Sequence, residues 1–134
     1  MASEQGSGRV TGLGGVFFKT NDREATKNWY AEHLDLGTPD SDVVLFWWRH
    51  DVDPDRRGHT VWGPFDMDSD HFGPDDAPYM LNYRVDDLDA ILTRLRAEGV
   101  EVLDKREDSE FGRFGWIVDM DGRRVELWEP PEGS

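Results

Sequence analysis

The sequence predicts an α+β fold in which one strand-and-helix unit is used twice. Three observations carry that prediction. Gly15 to Leu36 reads as a strand, an Asp and an amphipathic helix, and Met80 to Val102 repeats the order 65 residues later, counted from Gly15 to Met80. Sliding one segment over the other sets Val16-Phe17-Phe18-Lys19-Thr20 on Leu81-Asn82-Tyr83-Arg84-Val85, Asp22 on Asp87 and Ala25 on Ala90. Each copy is followed by short apolar runs separated by turn residues. A chain that repeats one supersecondary unit usually builds its cleft between the copies.

Taken in order, Met1 to Gly12 is polar and lacks an apolar core, so residues 1–12 are expected as a disordered lead-in rather than a signal peptide, and the chain as cytoplasmic. Val16 to Thr20 is a strand. Asn21, with Glu24 three residues on, is a capping-box start for a helix whose apolar stripe would be Ala25, Trp29, Tyr30 and Leu34. Val43 to Arg49 and Gly58 to Phe65 read as a hairpin around the turn-rich Asp51-Val52-Asp53-Pro54-Asp55. Residues 67–78 carry Asp, Gly and Pro without apolar periodicity and read as a linker between a first module of about 13–66 and a second of about 79–131. In the second, Met80 to Val85 is a strand, Asp86 or Asp87 caps a helix striped with Leu88, Ile91, Leu92 and Leu95, and Gly99 ends it. Val100 to Leu103 extends the sheet, and Phe114 to Val118 and Arg124 to Trp128 form a hairpin around Asp121-Gly122. Each half is thus expected as strand, helix and three strands, with right-handed crossovers placing both helices on one side of a curved sheet.

Composition excludes several classes of function. The chain has 134 residues, enough for one domain with its own core, here residues 13–131. With no cysteine, thiol catalysis, disulfides and thiolate zinc sites are ruled out. No apolar run approaches the roughly 20 residues of a membrane span. Acidic residues outnumber basic ones by 29 to 15, and a formal net charge of −14 repels a phosphate backbone, which argues against nucleic acid as a partner. These carboxylates read as a solvated surface or as an adaptation to a salt-rich cytoplasm.

The opening Gly14-Gly15-Val16-Phe17-Phe18 with Asp22 and Trp29-Tyr30, the central Asn82-Tyr83-Arg84-Val85-Asp86-Asp87, and the closing run from Asp119 to Trp128 together resemble the vicinal oxygen chelate superfamily, which includes glyoxalase I, bleomycin-resistance proteins and extradiol dioxygenases. The resemblance covers Gly14 to Pro130 and is most specific in the closing segment. It implies two βαβββ modules, a curved eight-stranded mixed sheet around a cleft with helices on the outer face, and a homodimer. In the metal-dependent members four sheet positions bind a divalent cation. Carried onto this chain they are Gly15, Trp62, Met80 and Glu126, of which only Glu126 can ligate a hard or borderline cation. The expectation is therefore no metal ligand set and no resident cofactor. The loops Asp51-x-Asp53-x-Asp55 and Asp66-x-Asp68-x-Asp70 lack the Gly and Glu of a calcium loop.

Alternation along the strands assigns the cleft face. Gly15, Phe17 and Lys19 should point inward with Met80, Asn82 and Arg84 and with Arg124, Glu126 and Trp128, while Val16, Phe18, Leu81, Tyr83, Val85, Val125 and Leu127 lie under the helices. A buried carboxylate needs a partner, so Glu126 either pairs internally with Arg84, Lys19 or Arg124, or serves as a base or anchor. The chain has six tryptophans, of which Trp47, Trp48, Trp62 and Trp128 lie on strands expected to wrap the cleft and give it aromatic walls. The resulting expectation is a small-molecule-binding protein in which Glu126 is the catalytic candidate and Lys19, Trp62, Asn82, Arg84, Arg124 and Trp128 hold an aromatic or anionic ligand. The alternatives are a lyase, isomerase or dioxygenase-like enzyme using Glu126 as base or residual metal ligand, and an acidic partner-binding module.

Overall fold

The structure, a computed structural model, describes residues 8–38, 40–73 and 77–133. Its order is β1 (Val10–Thr20), α1 (Arg23–Leu34), β2 (Val44–Arg49), β3 (Arg57–Asp66), β4 (Tyr79–Val85), α2 (Leu88–Ala97), β5 (Glu101–Ser109), β6 (Gly112–Val118) and β7 (Arg124–Glu129). The strands form one mixed sheet in the order β2-β3-β1-β4-β7-β6-β5. β1 and β3 run parallel, as do β4 and β7, and the two halves meet along the antiparallel β1–β4 ladder. Among the described residues the sheet is open and seven-stranded rather than eight-stranded. The second half has the expected strand, helix and three strands, whereas the first builds only two strands after its helix. The chain between α1 and β2, residues 35–43, forms no strand among its described residues.

Both helices cover the same face. Tyr83 packs against the cluster of Val85, Leu88, Ile91, Leu92 and Leu127 that α2 seals. Leu81, two residues before Tyr83, is paired with Val16, and Phe18 on that face of β1 meets Tyr30 of α1 at 6.3 Å. A second cluster, Phe72, Met80 and Trp116, lies with Phe17, Phe65 and Phe114 around it. Among the described residues no helix is long and apolar enough to cross a membrane.

Two local expectations need correction. Residues 10–12 belong to β1, which begins at Val10, so the lead-in is shorter than the polar composition of 1–12 implied, and its first seven residues lie outside the described ones. Helix α1 is capped by Asp22, whose carboxylate accepts from the Ala25 N–H, not by Asn21. Its apolar stripe does not bury either. Trp29 and Leu34 are exposed, while Arg23, Thr26, Tyr30 and Ala31 are partly covered and Lys27 is buried against Glu24 and Asp42. Polar anchors rotate the helix: Arg23 donates to the Pro64 carbonyl, and Thr26 meets Thr20. By contrast α2 is capped by Asp87, one of the two expected caps, and buries its Leu88, Ile91 and Leu92.

Candidate functional site

Strand register assembles the site. Gly15 of β1 is paired with Asn82 of β4, Asn82 with Glu126 of β7, and Glu126 with Trp116 of β6, so one row crosses four strands on the face away from the helices. Along β4 and β7 the next pair is Arg84 with Trp128.

Glu126 is 3% exposed, and two N–H donors converge on it. Asn82 Nδ2 donates to Oε1 at 2.6 Å, and Trp116 Nε1 to Oε2 at 3.0 Å. His71 Nε2 lies 3.0 Å from the same Oε2, an ion pair when the imidazole is protonated. A carboxylate offers only acceptors, so each donor is matched and the cost of burying the group is met. The cationic partners expected from sequence are elsewhere, because register moves Arg84 one pair along, opposite Trp128 instead of Glu126.

His71 was the residue that sequence reasoning missed. It sits in the stretch read as a linker, yet its ring stacks on Phe65 at 5.3 Å with the planes 4° apart and meets the edge of Trp116 at 6.0 Å. The loop is pinned by Phe72, 2% exposed beside Met80 and Trp116, and by Arg124, whose Nη1 donates to the His71 carbonyl at 3.4 Å. Gly73, at φ +111°, turns the chain beneath the Arg124 guanidinium. The available signal was His71-Phe72 itself, an aromatic pair inside a run of Asp, Ser, Gly and Pro, which has to pack somewhere.

The other expected site residues divide by position. Trp128 is buried, donates its Nε1–H to the Phe111 carbonyl at 2.7 Å and stacks parallel to Phe114 at 6.0 Å. Arg84 lies between Trp128 and Trp48, 5.0 and 5.3 Å from the two ring centres, and donates to the His59 carbonyl at 3.3 Å. Burial, reinforced by the charge of Arg56, pushes its guanidinium down to about 10. Lys19 stands over the Phe72 ring at 5.4 Å. Trp62 does not join them. It is paired with Val16, hence on the helix face, and packs on Phe18 and Tyr30 at 5.3 and 5.0 Å. Open grooves run beside α2 (Asp87, Arg94, Glu129) and beside α1 (Lys19, Trp29, Tyr30), and neither includes Glu126. His71, in contact with the carboxylate, has 25% of its side chain exposed.

The residues at the four inferred ligand positions do not fit a divalent metal. Gly15 has no side chain, Trp62 faces the helices and Met80 offers a buried thioether, while both oxygens of Glu126 are already engaged by N–H donors. Among the described residues no three His, Asp or Glu side chains gather as a metal cage.

Comparison with known proteins agrees with this architecture. The methylmalonyl-CoA epimerase of Mycobacterium tuberculosis is 27% identical over 91% of this chain and 89% of its own, with a TM-score of 0.56. A Streptomyces coelicolor methylmalonyl-CoA epimerase variant in complex with 2-nitronate-propionyl-CoA is 16% identical over 94% and 99%, TM-score 0.68. A hypothetical protein from Bacillus halodurans is 11% identical over 91% and 96%, TM-score 0.60. The last two show the fold alone. Among curated proteins none matches the chain at a significant level. The profile of one family runs from Gly12 to Leu127, through both helices and the Glu126 row: the chain belongs to the Glyoxalase/Bleomycin resistance protein/Dioxygenase superfamily.

Proposed function

We propose that this chain binds a small anionic or aromatic molecule at the His71 end of its concave face, without a divalent metal at the family's ligand positions. The observation that carries the reading is the His71–Glu126 contact: a buried carboxylate, satisfied by Asn82 and Trp116, holds the partly exposed imidazole at 3.0 Å. His71 is then the polar group that an incoming ligand meets first. Lys19 and Arg124 border the same loop and add positive charge beside it.

A second reading, an acid–base enzyme, has its own support. A carboxylate that orients an imidazole is a recurrent device for moving a proton, and the 27% identical structure is that of a methylmalonyl-CoA epimerase. On this reading His71 exchanges a proton with the carbon next to a thioester carbonyl, and Glu126 positions the ring.

Calorimetric titration with benzoate and with methylmalonyl-CoA, together with elemental analysis of the purified protein, tests the proposal. Binding of either ligand that is lost in His71→Ala and weakened in Glu126→Gln is expected, with far less than one transition metal per chain. A stoichiometric metal, or absence of binding by both probes, overturns it. Deuterium uptake from heavy water into methylmalonyl-CoA, abolished by His71→Ala, selects the enzymatic reading; binding without uptake selects the first.

A further inference from the structure

Opposite the Glu126 row, β5 and β6 fall out of step. Val102 is paired with Ile117 and Arg106 with Gly115, so Leu103, Asp104 and Lys105 together span the single β6 residue between those pairs, Trp116. In an unbroken antiparallel ladder Leu103 alone would stand opposite Trp116, and Lys105 would fall opposite Phe114. A strand with extra residues bulges and re-aims its side chains. Here Leu103 packs against the cluster of Phe72, Met80 and Trp116, and Lys105 is brought back over the Trp116 ring, its Nζ 4.7 Å from the ring centre. Trp116 is the residue whose Nε1 donates to Glu126. Two further cations border the same cluster: Lys19 stands over Phe72 at 5.4 Å, and Arg124 donates to the carbonyl of His71.

None of these three cations is ion-paired with a carboxylate among the described residues, although acidic side chains outnumber basic ones by 29 to 15. The contrast is with Lys27, the only other lysine of the chain, which is buried against Glu24 and Asp42. An aromatic face attracts an ammonium but accepts none of its N–H groups in a full hydrogen bond, so Lys19 and Lys105 keep donors for an incoming acceptor. The carboxylate at the centre does not use them, because Glu126 is met by Asn82, Trp116 and His71. We infer that Lys105, carried by the β5 bulge, acts with Lys19 and Arg124 as a charge-reading rim, and that the ligand is a dicarboxylate whose two anionic groups lie toward Phe72 and toward Trp116. The inference rests on the ligand site proposed at His71 and adds the number of charges on the molecule that fills it.

Calorimetric titration that compares benzoate with phthalate and isophthalate, which add one carboxylate to the same ring at two spacings, tests the inference. The tighter of the two dicarboxylates should bind about ten-fold better than benzoate, and Lys105→Gln should remove most of that advantage while changing benzoate affinity by about two-fold at most. Lys105 is exposed, so the variant should keep the wild-type circular dichroism and melting temperature. Arg96→Gln removes one charge from an exposed position on α2 and controls for net charge: it should leave the ratio of the two affinities unchanged. Equal binding of benzoate and both dicarboxylates, or an advantage that survives Lys105→Gln or falls equally in Arg96→Gln, overturns the inference while benzoate binding leaves the His71 site standing. Failure of all three acids to bind the wild-type protein also overturns it, and the His71 site then stands or falls with methylmalonyl-CoA.

Discussion

At Gly14 a single methyl group decides whether Asn82 keeps its place. A Cβ there would lie 2.1 Å from Asn82 Oδ1 and 3.0 Å from Trp128 Cε3, and the Asn82 amide is the group that holds Glu126 Oε1. The φ of Gly14 is not in the left-handed region, so the cost is steric rather than conformational. Gly14→Ala is expected to destabilise the fold by about 2 kcal/mol in urea denaturation, as overpacking of a tight interior does. In an Asn82→Ser background the same substitution should cost markedly less; an equal cost in both backgrounds would show that the amide is not what the methyl meets. Residue-level legibility follows the same physics. Alternation was enough to put Asn82, Glu126 and Trp128 on one face, because side-chain direction in a strand is local. The partners of Glu126 were not legible, because they depend on which residue of β4 stands opposite it. The chain offered Arg84 and Asn82 two residues apart, and only the register chose Asn82.

Among the elements, the β2–β3 hairpin ties its histidines to the guanidinium of β4. His59 on β3 lies 4.7 Å from Trp47 and 5.6 Å from Trp128, and His50 follows β2 beside Trp48 at 5.1 Å. Burial and then Arg84 lower the His59 pKa; for His50 the order is burial, Arg56 and Arg84, partly offset by Asp53 and Asp51. An unfolded imidazole takes up its proton near pH 6.5, whereas these two wait for lower pH, so in that window the unfolded chain holds more protons. Stability contributed by the hairpin is therefore present above about pH 6.5 and lost as pH falls toward the lowered values. Comparing wild type with His50→Asn/His59→Asn across that range isolates the effect: the double variant should lose less stability on acidification, and identical slopes would refute the assignment. Element boundaries were readable where turn chemistry is strong, as at Asp87 and Asp121-Gly122. They were not readable at α1, whose apolar spacing pointed outward once Arg23 and Thr26 found partners on the strands, nor at the eighth strand, which the described residues between α1 and β2 do not build.

Across the whole molecule, the surplus of carboxylates acts through solvent rather than through any one pair. Asp89 is bridged by Arg106 and Arg113 at 2.8 and 2.7 Å, but exposed ion pairs of this kind contribute little each, and 29 acidic residues face 15 basic ones. Screening of that repulsion should raise the melting temperature steadily as sodium chloride goes from low concentration to about 1 M, where the Debye length falls to roughly 3 Å. A flat profile in calorimetry would mean that the like charges are spaced too far apart to matter. The apolar interior is distributed as unevenly as the charge. Of the buried apolar side chains among the described residues, only Pro64 and Phe72 precede Tyr79; Met80, Val85, Leu88, Ile91, Leu92, Trp116, Leu127 and Trp128 all follow it. The first half thus depends for cohesion on the β1–β4 seam, and spontaneous opening should begin in β2 and β3 and spread toward it, leaving α2 and β7 closed. Synthesis runs the other way, from the N-terminus. The ribosome releases the weaker half first, and its exposed Leu45, Phe46 and Trp47 must stay clear of neighbouring chains until the segment beyond Tyr79 arrives to fold against it.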